Sequence, residues 1–261
     1  MCQEIIEMTI YHSFFRTAAA VVLLALAVPA GAADPGSSSD WKFDAGIYAW
    51  TPSMEVTPDG GDSIKMSFSD ILDNLDMTFM GVFGARKDKW SLLGDVIYMK
   101  LSDSLSGVKD LPDSSGTVTG KVDAEMKSWI VTAAGGYNLV DTGSYSLDLL
   151  GGARYLSIDV PLKAQVDQFQ LKVTPSGDIW SGIIGVRGKA DLAENWYLMY
   201  YLDAGAGQKS SNTWQALAGV GYQFQKLDAV LGYRYLAYDI DSGDLEDITI
   251  KGPYAGVRFY F

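Results

Sequence analysis

From Trp41 onward the chain places apolar residues at every second position, with small, polar or charged residues between them. In WKFDAGIYAW, Trp41, Phe43, Ala45, Ile47 and Ala49 share one face, and Lys42, Asp44, Gly46 and Tyr48 share the other. Successive side chains of an extended strand point to opposite sides, so this period of two reads as strand and not helix. The pattern returns in Trp129, Val131, Ala133, Gly135 and Tyr137, in the odd positions of 145–155, and in Trp180, Gly182, Ile184 and Val186. It appears again in the even positions of 214–224 and in Ala229, Leu231, Tyr233 and Tyr235. The alternation predicts about ten strands, at 41–51, 76–87, 90–101, 124–138, 145–158, 178–190, 196–207, 213–225, 228–240 and 247–261, with eight or twelve as the even-numbered alternatives. No stretch from residue 40 onward is apolar for the ~18 residues that a membrane-spanning helix needs.

The predicted strands match or exceed the ~9–11 residues with which a tilted strand crosses a bilayer. Of their connections, 52–75, 102–123, 159–177, 208–212 and 241–246 fall on one side, the first three of them long, while 88–89, 139–144, 191–195 and 226–227 fall on the other and are all short. This pattern predicts an all-β fold, a single antiparallel up-and-down transmembrane barrel with both termini at the short-turn end.

The faces of the strands decide which side of such a barrel meets lipid. Arg86, Asp95, Asp148, Arg154, Arg187, Asp203, Asp228, Arg234 and Arg258 all fall opposite the stripe rich in Trp and Tyr. A lipocalin-like soluble barrel would turn apolar residues inward and polar ones outward. Here the charges are read as luminal and the aromatic face as lipid-exposed. Gly-x-Arg recurs at Gly84-Arg86, Gly152-Arg154, Gly185-Arg187, Gly232-Arg234 and Gly256-Arg258, always on the luminal face, with the glycine making room for a long neighbour. Arg86, Arg187 and Arg258 end strands running toward the short turns, and Asp148 and Asp228 begin strands leaving them, so all five are expected at that end. They are read as a packed polar plug of Arg–carboxylate pairs, Asp44 included, because a lone buried charge is costly. A lining that selects a permeating solute is the alternative.

Two loop segments add candidates. SFSDILDNL, 67–75, has Phe68, Ile71, Leu72 and Leu75 at helical spacing behind a capping serine, Ser67 or Ser69, and predicts a short helix at the rim or in the mouth. DIDSGDLED gathers Asp239, Asp241, Asp244, Glu246 and Asp247. Its spacing differs from an EF-hand loop, so it is read as a solvated acidic turn, with calcium or magnesium binding as the alternative.

The formal charge of −12, with no basic run, excludes nucleic acid as a partner. The N-terminal segment predicts a secretory signal over 1–33: Arg16 precedes an apolar run, Ala18 to Val28, which leads to a small-residue site at Ala30-Gly31-Ala32. Acidic residues ahead of the run point to Met8 as an alternative start. Residues 34–40 then form a short lead and 41–261 the barrel. Loss of the signal removes Cys2 and His12, the only cysteine and the only histidine. A chain without either has no Ser-His-Asp triad, no Cys-His pair and no ordinary zinc site. No catalytic residue, metal or cofactor is therefore expected, and the chain is read as no enzyme.

The last residues, KGPYAGVRFYF, alternate Ala255, Val257, Phe259 and Phe261 on one face against Arg258 and Tyr260 on the other. This closely resembles the C-terminal strand of bacterial outer-membrane β-barrel proteins, and the region from 41 onward resembles the superfamily that includes OmpA-like small barrels. The resemblance implies residence in the cell outer membrane with periplasmic termini, and contact with lipid and lipopolysaccharide. It further implies that Val257, Phe259 and Phe261 carry the signal read by the barrel-assembly machinery. The role expected is structural or surface-interacting, with little or no open pore; a narrow channel or porin for small solutes is the first alternative, and an outer-membrane enzyme working without histidine the second.

Overall fold

The computed structural model describes residues 40–58, 64–110, 117–166, 169–173, 176–208, 211–240 and 245–261. The expected signal segment and most of the lead lie outside them. Ten antiparallel strands close on themselves: β1 (Lys42–Trp50), β4 (Leu75–Lys87), β5 (Trp90–Asp110), β6 (Thr117–Asp141), β7 (Tyr145–Asp159), β10 (Ser176–Asp191), β11 (Trp196–Gly207), β12 (Asn212–Gln223), β13 (Leu227–Asp239) and β14 (Leu245–Tyr260). Each pairs with its sequence neighbour in this series, and β1 pairs back onto β14 from Asp44↔Tyr260 to Trp50↔Tyr254. Closure removes both sheet edges along this stretch. Both ends of the barrel chain lie at the end with the tight turns, called here the turn end. Asp88, with φ 52°, and Gly143, with φ 84°, supply left-handed backbone for two of those turns.

The opposite, loop end is more ordered than the sequence implies. The three long connections contain paired strands: β2 (Ser53–Pro58) on β14, β3 (Ile64–Met66) on β2, and the hairpin of β8 (Leu162–Val166) and β9 (Phe169–Val173) on the upper part of β6. β5 and β6 themselves stay paired out to Asp110↔Thr117, so most of the expected loop 102–123 is a continuation of the wall.

The exterior carries two belts of aromatic contacts. Trp90–Tyr137 and Trp196–Tyr222 meet near the turn end, each with ring centroids 5.0 Å apart. Toward the loop end the pairs are Tyr98–Trp129 at 4.5 Å, Tyr155–Trp180 at 4.8 Å and Trp214–Tyr235 at 4.6 Å. Exposed Ile47, Leu92, Leu149, Ile184, Leu202 and Leu231 lie between the belts. Aromatic girdles around an apolar band are the exterior that a bilayer solvates.

Inside, the lumen at the loop end is apolar, which differs from the wholly polar interior expected from the charges. Ile97, Met99, Ile130, Leu156, Leu236 and Ile250 from the wall form one buried cluster with Trp50 and Met54. The helix α1 (Phe68–Asp73) adds Ile71, which is 3% exposed in that cluster. Its first turn is held by a capping box between Ser67 and Asp70. Leu75, expected on the helix, instead begins β4, and Phe68 and Leu72 remain exposed. Of the expected helical face Ile71 is buried in the mouth, and Leu75 packs against the same cluster from β4; full burial of a side chain such as Ile71 contributes roughly 1.5–3 kcal/mol.

Candidate functional site

Below the apolar cluster, strand parity turns two tiers of charge into the lumen. The middle tier comes from β5, β7, β11 and β13. Arg154 donates from Nη1 to Asp203 Oδ1 at 3.0 Å, its Nη2 pairs with Asp203 Oδ2, and its Nε donates to Thr132 Oγ1 at 3.2 Å. Arg234 reaches across the barrel to Asp95, donating from Nη2 to Oδ2 at 2.7 Å, from Nη1 to the Tyr48 hydroxyl at 2.9 Å and from Nε to Gln215 Oε1 at 3.1 Å. Tyr48 in turn donates to Asp95 Oδ1 at 2.6 Å. Arg234 also lies 5.0 Å from the centroid of the Trp50 ring, a cation–π contact at the base of the apolar cluster. Both arginines are enclosed and their hydrogen bonds are shared among several acceptors, which is the condition under which a buried ion pair is tolerated.

The turn-end tier is built differently. Asp148 Oδ2 accepts from Arg86 Nη2 at 2.7 Å and from Arg187 Nε at 3.0 Å, while Asn138 Nδ2 donates to Oδ1 at 2.8 Å. Arg258 Nε stands 3.3 Å from Asp44 Oδ2, an ion pair without hydrogen-bond alignment. Register sets Asp228 opposite Arg258. Its Oδ2 nevertheless accepts from the Tyr197 and Tyr260 hydroxyls, and Oδ1 is buried without a partner. The expected Arg–Asp228 pair is thus replaced by two phenols, Tyr260 from the adjoining strand β14 and Tyr197 from β11, two strands away in the wall.

All nine luminal charges expected from the sequence therefore line the interior, in two separate groups. Sequence reasoning missed the neutral members: Tyr48, Thr132, Asn138, Tyr197, Gln215 and Tyr260 complete the coordination of the charges. Their signal was strand parity, since each falls on the charged face. The five glycines of the Gly-x-Arg repeat also face inward, and the neighbour they make room for is across the strand pair. Gly84 stands opposite Asp44, Gly185 opposite Asp203, Gly232 opposite Tyr254 and Gly256 opposite Tyr48.

A cavity of about 440 Å³ runs from the turn end up to the middle tier, where Arg234, Gln215 and Tyr48 close it. At the C-terminal strand, Val257 and Phe259 face outward, and the Phe261 amide donates to the Phe43 carbonyl at 2.9 Å. In the acidic run, Asp239 and Asp247 face each other across β13 and β14, both exposed. Asp241, Asp244 and the Glu246 side chain lie outside the described residues.

The architecture is a closed antiparallel barrel of ten strands with an apolar exterior and a charged lumen. No family model matches the chain, and no curated protein matches it. Among solved structures it is similar to the translocator domain of the autotransporter NalP from Neisseria meningitidis, at 13% identity and TM-score 0.49, covering 98% of each chain. It is also similar to the outer-membrane protease OmpT from Escherichia coli, at 11% identity and TM-score 0.43, covering 85% of this chain and 96% of that one. A third similar structure is the attachment invasion protein Ail of Yersinia pestis, at 12% identity and TM-score 0.35, covering 85% and 99%.

Proposed function

We propose that the chain is a bacterial outer-membrane barrel that does not conduct, with the turn end in the periplasm and the loop-end hairpins outside the cell as its working surface. The reading rests on the closed lumen. An apolar cluster fills the loop end, and below it Arg154–Asp203 and Arg234–Asp95 cross the interior. An ion passing through would have to break a buried pair and then enter hydrocarbon, and each step carries a desolvation cost of several kcal/mol. The outward apolar band and aromatic belts support the membrane location, and contact with lipid and lipopolysaccharide follows from it. Val257, Phe259 and Phe261 are proposed as the strand read during assembly.

Planar-bilayer recording decides between this reading and a narrow channel. The full chain, folded into lipid, is expected to leave the bilayer silent; steady unitary openings would overturn the closed-lumen reading.

A further inference from the structure

We propose that the turn-end cavity is a binding site for a small organic carboxylate, with the anionic head among Arg86 and Arg187 and an apolar body pointing toward Tyr254. The volume of about 440 Å³ lies within the ~300–1,000 Å³ typical of ligand sites. The cavity is blind, closed above by the middle tier, so a ligand enters and leaves by the turn end.

Two kinds of arginine line the lumen. The Arg154 and Arg234 side chains are 0% and 3% exposed, and several acceptors hold each of them. Arg86 and Arg187 are 40% and 22% exposed, and their ion pairs with Asp148 converge on a single oxygen. Asp228 forms no ion pair among the described residues because Tyr197 and Tyr260 occupy it. Three guanidiniums, those of Arg86, Arg187 and Arg258, therefore share two carboxylates, Asp148 and Asp44. A guanidinium matches a carboxylate head by paired N–H donors.

Above the arginines the wall changes character. Leu93, Met199, Leu217 and Val230 line the cavity between the tiers. Within the same cavity Tyr254 is buried, and its hydroxyl has no hydrogen-bond partner. That hydroxyl fills the space that a side chain at Gly219 would need and is covered by the wall, so Tyr254 offers a ligand its ring as part of the apolar surface. An inorganic anion would leave the apolar wall uncovered, and a neutral apolar molecule would leave the guanidiniums unmatched. A carboxylate carried on a hydrocarbon or aromatic body satisfies both.

The inference rests on the closed-barrel reading only for the cavity being blind. Conductance bears on that reading, whereas a binding isotherm bears on this one. Calorimetric titration of the folded full chain in zwitterionic detergent uses 1-naphthoate as probe, with 1-naphthalenemethanol and inorganic phosphate as the neutral and purely anionic controls. Saturable binding of naphthoate is expected, with both controls at least about tenfold weaker. The Arg86→Gln/Arg187→Gln double variant should lose about tenfold in affinity for naphthoate and little for the alcohol. Arg86→Gln alone, at the more exposed guanidinium, should weaken naphthoate by a smaller factor and serves if the double variant does not fold. Absence of saturable binding to the unsubstituted protein would overturn the site, as would equal affinity for naphthoate and its alcohol. Equal affinity for phosphate would overturn the apolar subsite.

Discussion

Arg154 and Asp203 face each other inside the barrel as a two-pronged pair, and neither side chain is exposed. Removing one partner strands the other charge away from water. Asp203→Ala is therefore expected to cost roughly 3–5 kcal/mol, while Arg154→Met combined with Asp203→Leu should recover most of the loss. The midpoint of urea unfolding in lipid vesicles, followed by the gel-mobility difference between folded and unfolded barrel, measures both. A double variant no more stable than Asp203→Ala would mean that the pair is not the source of the effect.

Arg187→Ala should behave otherwise. Asp148 retains Arg86 and Asn138 when Arg187 is gone, and water reaches this tier. A loss of about 1 kcal/mol or less is expected, the range of solvent-screened pairs. A loss as large as that of Asp203→Ala would show the turn-end tier to be a sealed plug.

Adjacent glycines make an internal control for wall packing. A Cβ on Gly152 would run into the Ala133 carbonyl and the Ala134 backbone, atoms that cannot swing aside, whereas one on Gly151 meets nothing within 4 Å. Gly152→Ala is expected to lower stability by about 1–3 kcal/mol, and Gly151→Ala to stay within about 0.5 kcal/mol of the unsubstituted protein. The same unfolding assay compares them; equal effects would place the crowding elsewhere.

Acid should loosen the cap over the mouth. The Ser67 hydroxyl and amide donate to Asp70 Oδ2 at 2.6 and 2.8 Å, and these bonds hold the Asp70 carboxyl below the ordinary aspartate range. A depressed carboxyl contributes stability above its unfolded value, about 3.9, and that contribution is lost as pH falls through the lower folded value. The protection of amides in 68–73, taken relative to their intrinsic exchange rates, should fall across that acidic window in the unsubstituted protein and stay level in Asp70→Asn. An identical profile in both would remove Asp70 as the cause.

Much of the wall was legible because lipid outside and charge inside impose one alternation on long strands. Trp41 to Tyr48 shows it, with Lys42, Asp44, Gly46 and Tyr48 alternating with Trp41, Phe43, Ala45 and Ile47. The parts that escaped are those where this contrast fails. In 102–123 the paired β5 and β6 extend beyond the aromatic belts, and neither face needs an apolar stripe, so Ser, Gly and Asp there read as loop. At Ile97, Met99, Leu236 and Ile250 the interior itself is apolar, and a rule that assigned polarity to the lumen could not register it. Asp228 was placed at the right height by its position in β13, yet its partners are tyrosines, and counting charges does not find hydroxyls. Ile71 could be seen on an apolar helical face, but the sequence did not distinguish it from Phe68 and Leu72, because only tertiary contact selects which of them enters the mouth.

The spacing of the aromatic contacts bears on which membranes suit the protein. Trp90 and Tyr98 on β5, Trp129 and Tyr137 on β6, and Trp214 and Tyr222 on β12 are each eight residues apart. At ~3.3 Å per residue and a tilt near 40° the belts stand roughly 20 Å apart along the bilayer normal. A typical hydrocarbon core is about 30 Å thick. Lipid beside this wall must compress to meet it, at fractions of a kcal/mol for each ångström of mismatch. The protein is thereby matched to thin bilayers, and insertion should slow as the acyl chains of the host lipid lengthen.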